Sequence, residues 1–150
     1  MDVLTLLRSQ VGQWRGTYKL WLDPGKDPEV SETTLVVKPT ANGSYFLIHY
    51  DWSFRDQSKA GIFLIGGKDK RAQATWGDSF HMEPMAMVCE GKLNGDGLIL
   101  NGSYAAGDQQ WGWRTELFIK DKNLVMRAYN IAPSGQEDIA LEAVYQQHSE

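Results

Sequence analysis

Gly12-Gln-Trp-Arg-Gly-Thr-Tyr-Lys-Leu-Trp-Leu22 is the stretch in which the chain changes its period. Ahead of it, Val3, Leu4, Leu6, Leu7 and Val11 recur at helical spacing, Asp2 stands where an N-cap would, and Gly12 ends the pattern. That predicts a short N-terminal helix. From Gln13 onward the period is two. Trp14, Tyr18, Leu20 and Leu22 share one face and Arg15, Thr17 and Lys19 the other, which predicts a strand over residues 13–22 with its even face inward.

The alternation continues to the end of the chain, broken by turn residues every 8 to 12 positions or so, the mark of a sandwich or barrel. Strands are expected at about residues 31–38, 45–54, 60–65, 72–80, 85–93, 98–105, 110–120, 123–131 and 138–147. The breaks include Asp23-Pro-Gly-Lys-Asp-Pro28, Ala41-Asn-Gly43, Asn94-Gly-Asp-Gly97, Asp121-Lys122 and Pro133-Ser-Gly135. Short loops favour antiparallel neighbours in up-and-down order, and closing ten short strands into a barrel removes exposed edges. In the third strand Phe46, Ile48, Tyr50, Trp52 and Phe54 oppose Tyr45, Leu47, His49, Asp51 and Ser53, and which set points inward is open, because a polar ligand would favour the mixed face.

The 150 residues are expected to form one domain, and 42% hydrophobic against 23% charged residues is an ordinary globular balance. A net charge of -4 with no basic run argues against nucleic acid, since phosphate binding draws on clustered Lys and Arg. The single Cys89, in the apolar run Met85-Ala-Met-Val-Cys89, reads as a buried, inert thiol in a reducing compartment. An acid at the second position and a short apolar run are unlike a signal peptide, and no stretch approaches the roughly 18 apolar residues of a membrane span. The expectation is a cytoplasmic protein with no membrane partner.

Gly12-Gln-Trp14-Arg-Gly16, placed between helix and first strand, resembles the Gly-x-Trp motif of lipocalins and other calycins. The Gly turns the chain out of the helix and the Trp plugs the barrel end. Together with Gly61-Ile-Phe-Leu-Ile-Gly-Gly-Lys-Asp69, Trp76-Gly-Asp-Ser79, Arg114 and Glu142-Ala-Val-Tyr145, it resembles an uncharacterised bacterial lipocalin-like family of unknown function. More distant likenesses are to nitrobindin-like and fatty-acid-binding-protein-like barrels. The fold these imply is an all-β, ten-stranded, up-and-down lipocalin-like barrel with a short N-terminal helix. In the nitrobindin-like pattern a late-strand His holds haem; residues 138–147 contain none, and His148 lies beyond them, so no cofactor is expected.

The candidate ligand-binding residues are Tyr18, Trp52, Trp76, Trp113 and Arg114, with Gly12, Trp14 and Gly16 as the barrel end. The aromatics would form a stacking wall or simply fill the barrel, and Arg114 anchors a carboxylate only if it faces a polar cavity. Asp78, Ser79 and His81 would form a hydrolytic grouping only if they converge, and without a nucleophile elbow they read first as a polar strand end leading into a loop, while Met82, Met85 and Met87 suggest an apolar lip or core filling. His49 and His81 lack partners at metal-ligand spacing, so no metal site is expected. The reading these residues support is a carrier, monomeric or homodimeric, holding a small hydrophobic or amphipathic molecule. The alternative is a haem-dependent or isomerase-like barrel enzyme using His49 or His81 with Arg114.

Overall fold

The computed structural model describes residues 1–80, 82 and 85–148. The Asp2 carboxylate accepts the Thr5 backbone N–H at 2.8 Å and so caps α1 (Val3–Ser9), a helix that buries Val3, Leu6 and Leu7. Gly12, at φ +140°, then turns the chain into β1 (Gly12–Leu20). Nine further strands follow: β2 (Glu29–Thr40), β3 (Tyr45–Phe54), β4 (Gln57–Lys68), β5 (Arg71–Asp78), β6 (Met87–Asn94), β7 (Gly97–Ala106), β8 (Gln109–Lys120), β9 (Asn123–Ile131) and β10 (Glu137–Gln147). Each pairs antiparallel with the next, and β1 also pairs with β10, so the sheet closes on itself. The chain is an all-β, ten-stranded up-and-down barrel.

Several strand boundaries differ from the expectation by two or three residues, and two of them have a plain physical reason. β4 begins three residues early because Arg55 and Asp56, at φ 48° and 67°, make a two-residue hairpin turn without glycine, leaving no turn signal to read. Leu22 lies beyond β1 and is 46% exposed, so the inward face of the first strand ends at Leu20. The open question on β3 resolves towards the apolar set: Phe46, Ile48, Tyr50 and Trp52 are buried, whereas His49 and Asp51 face outward.

One end of the barrel is covered by α1, which packs across β2, β3 and β4. Its start is tied to the β4–β5 turn, where the Val3 N–H donates to the Asp69 carbonyl at 2.8 Å. Trp14 is inward and buried at this end, and its indole N–H donates to the Gln10 carbonyl at 2.9 Å. Removing each buried aliphatic side chain of α1 from water contributes about 1.5–3 kcal/mol. Among the described residues no helix is long and apolar enough to cross a membrane.

Candidate functional site

Opposite α1, the inward faces of β1, β3, β5 and β8 bring together the four aromatics that alternation selected. Tyr18 stacks on Trp52 with ring centroids 4.5 Å apart, and Trp76 stacks on Trp113 at 5.1 Å. Tyr50 links the pairs: its ring lies 6.5 Å from Tyr18, and its hydroxyl accepts the Trp76 indole N–H at 2.9 Å. Phe80, just past β5, folds its edge against Trp52 at 5.3 Å and lies 4.9 Å from Phe54. Trp113 and Phe80 stay partly exposed, while Tyr18 and Tyr50 are buried.

The hub of this wall is Asp78. Its Oδ2 accepts the Tyr50 hydroxyl at 2.6 Å and the Trp52 indole N–H at 3.2 Å, and its Oδ1 accepts the Phe80 backbone N–H at 2.9 Å. Strand register explains how. Tyr50, Gly61 and Asp78 lie in one row across β3, β4 and β5, and a Cβ on Gly61 would sit 2.0 Å from the Tyr50 ring. Only a residue without a side chain leaves room for that ring to cross β4 and reach the carboxylate. Burial raises the Asp78 carboxyl above the ordinary aspartate range, against the lowering by its three donors and by the charge of Lys59. Burial, with the nearby Asp78 charge, also pushes the Tyr18 and Tyr50 phenols well up, so both stay protonated.

A second row repeats the device nearer the α1 end. Tyr145, Gly16 and Thr33 align across β10, β1 and β2, and the Tyr145 hydroxyl and Thr33 Oγ1 meet over the glycine at 3.0 Å. Here the limit is backbone: a Cβ on Gly16 would lie 1.8 Å from the Val144 carbonyl oxygen. On the far wall the Tyr104 hydroxyl donates to Asn130 Oδ1 at 2.6 Å, and the Trp113 indole N–H donates to Thr115 Oγ1 at 3.1 Å.

Arg114 is a correction to its expected place in the cavity. Alternation from Trp113 and Thr115 turns it to the outer face, where it pairs with Glu116 at 3.1 Å and Glu137 at 2.8 Å and lies over the Tyr129 ring. His49 is also outside, on β3, and four strands separate it from β8 in either direction round the barrel, so it cannot meet Arg114. His81 lies outside the described residues. Ser79 is held away from Asp78 by its hydroxyl, which accepts the Ala60 N–H at 3.0 Å, so no hydrolytic pair forms. Cys89 is buried, with its thiol pushed up to about 11 by desolvation, as an inert core cysteine would be. Met87 packs inward against Gly102, Met82 is half-buried and Met85 is exposed, so the three form no common lip.

The polar members of the wall, Tyr50, Asp78 and Tyr145, were not singled out as a group by sequence reasoning. Part of the signal was there: Asp78 shares parity with Trp76, and Tyr50 with Trp52.

The family described as protein of unknown function (DUF1579) matches residues 4–147. The chain belongs to that family. No curated protein matches it in sequence. Among solved structures, Rv2717c from M. tuberculosis superposes with a TM-score of 0.66 at 12% identity, covering 96% of this chain and 98% of that one. The S-type phycobiliprotein lyase CPES from Guillardia theta superposes with a TM-score of 0.65 at 9% identity, covering 100% of this chain and 94% of that one. At these identities the likeness is one of fold, and one barrel hosts many functions.

Proposed function

We propose that this DUF1579 member is a single-domain cytoplasmic carrier that holds a small amphipathic molecule at the end of its barrel opposite α1, against Tyr18, Trp52, Trp76 and Trp113. The observation that carries the reading is the pair of inward ring stacks, Tyr18–Trp52 and Trp76–Trp113, converging on polar groups at the end that α1 leaves uncovered. Apolar ligand surface removed from water against such rings supplies the affinity, and a few fixed polar groups supply orientation. Gly12, Trp14 and Gly16 serve the other end, where the indole and the glycine-permitted strand approach close the floor. Arg114 has no part in this proposal, because its guanidinium is committed to carboxylates on the outer surface.

Native mass spectrometry of freshly purified protein tests the reading. A retained small molecule whose mass is lost from Trp113→Leu supports it. A bare polypeptide mass, together with no uptake of a neutral aromatic probe, contradicts it.

A further inference from the structure

We infer that the ligand's polar end is a positively charged hydrogen-bond donor on a flat aromatic body, received by the Asp78 carboxylate and the Tyr18 hydroxyl. This rests on the carrier reading and names the class of molecule the same site takes.

Three independent observations converge. First, the charge set inside the wall is a carboxylate, and the one inward-facing cation stands at the rim. Every Lys and Arg lies in the described residues, and alternation turns those on the strands outward, with Lys59 at the rim of β4 as the exception. Its ammonium lies 5.9 Å from the Phe80 ring centroid, and no ion pair closes on Asp78 among the described residues. An anionic headgroup would therefore meet a carboxylate and no interior cation, an arrangement that like-charge repulsion disfavours.

Second, Tyr18 is 1% exposed, yet its hydroxyl has no hydrogen-bond partner among the described residues. It follows Gly16 by two residues on β1 and its ring lies 6.5 Å from that of Tyr50, so it stands between the two tyrosine rows. Among the described residues only the Gln10 amide atoms are fully enclosed without a partner, so the Tyr18 hydroxyl stays within reach of a small molecule, and a ligand donor shared between it and Asp78 would give it a partner. Third, the walls that flank this point are aromatic, with Tyr18 stacked on Trp52, Trp76 stacked on Trp113, and Trp113 still partly exposed. Aromatic faces carry negative charge density and attract a cation, most strongly where water is excluded. The carboxylate, the free hydroxyl and the ring faces thus select the same partner chemistry.

The test is Trp-quenching titration of the whole protein with three flat probes: cationic 9-aminoacridine, neutral N-phenyl-1-naphthylamine and anionic 8-anilinonaphthalene-1-sulfonate. Asp78→Asn should weaken the cation at least tenfold while leaving the neutral probe within about threefold. Glu32→Gln, which removes the same charge from the outer face of β2, should leave the cation unchanged and so separates the site from the net charge. Tyr18→Phe keeps the ring and every hydrogen bond described above, so it remains usable if Asp78→Asn folds poorly. It should weaken the cation several-fold. Cation binding unaffected by Tyr18→Phe and Asp78→Asn, or an anion bound as tightly as the cation, would overturn the inference with the carrier reading intact. Failure of the neutral probe to bind at all would instead remove the carrier reading beneath it.

Discussion

The two tyrosine rows, Tyr145–Gly16–Thr33 and Tyr50–Gly61–Asp78, share one construction and differ in what they hold. In both, a glycine on the central strand lets a phenol cross to an inward polar group two strands away. The first ends on a buried threonine, is complete in itself and carries no charge. It behaves as a satisfied pair in the core, with a net contribution on the order of 1 kcal/mol. The second ends on a carboxylate that burial disfavours, beside rings that remain partly open to solvent. Perturbed acids in such places are characteristic of sites that bind or react rather than of scaffolds. On the proposed carrier reading, the difference separates a fastening of the barrel from a feature that serves the ligand.

Breaking each row at its glycine gives the largest expected effects. Gly16→Ala drives a Cβ into the Val144 backbone, which no side-chain rotation relieves, so the loss should reach or exceed the upper end of the roughly 1–3 kcal/mol for overpacking. Gly61→Ala meets a side chain instead, and the Tyr50 ring can swing aside. Its cost should fall lower in that same range of about 1–3 kcal/mol, with loss of the Tyr50–Asp78 bond. Urea unfolding of the two variants side by side checks the order, and a Gly16→Ala protein as stable as wild type would mean that β1 and β10 are not held this closely. Smaller again is Tyr145→Phe, which leaves Thr33 Oγ1 buried without its partner and should cost about 1–2 kcal/mol in the same assay, within the usual penalty for an unsatisfied hydroxyl.

Asp78→Asn should have the smallest effect on stability and the most informative pH dependence. A carboxyl whose folded-state pKa lies above its ordinary value of 3.8 binds a proton more readily when folded. Its stabilisation is therefore present at acid pH and lost as pH rises through the raised folded value. Wild type should lose stability relative to Asp78→Asn across that window, whereas Glu137, held low by Arg114, contributes the opposite trend equally to both proteins. Chemical denaturation at a series of pH values gives the difference curve. A flat curve would mean that Asp78 is solvated as an ordinary surface acid.

Much of this architecture is legible in the sequence, and the limits are specific. Alternation places Tyr18, Trp76 and Trp113 inward and turns Arg114 out once Trp113 is taken as core, as its outer ion pairs show. The inward face of β3 is not decided by alternation, because Tyr50 and Trp52 carry polar tips that a mixed face would carry too. The row Tyr50–Gly61–Asp78 is invisible for another reason. It depends on the register of three strands, and the turn that sets the β3–β4 register, Arg55-Asp56, has no glycine or asparagine to announce it. Parity is a local property and can be read off the chain, whereas a contact between strands depends on hairpin geometry.

The central claim, that the barrel end opposite α1 takes up a small molecule against its aromatic wall, is tested most directly by titrating neutral N-phenyl-1-naphthylamine into the native protein and following Trp emission. The account predicts saturable quenching with about one site, and weaker binding to Trp113→Leu with little loss of stability, since the leucine keeps the strand apolar while removing the ring stacked on Trp76. Emission that stays flat until the protein unfolds would mean a barrel packed solid, and would contradict it.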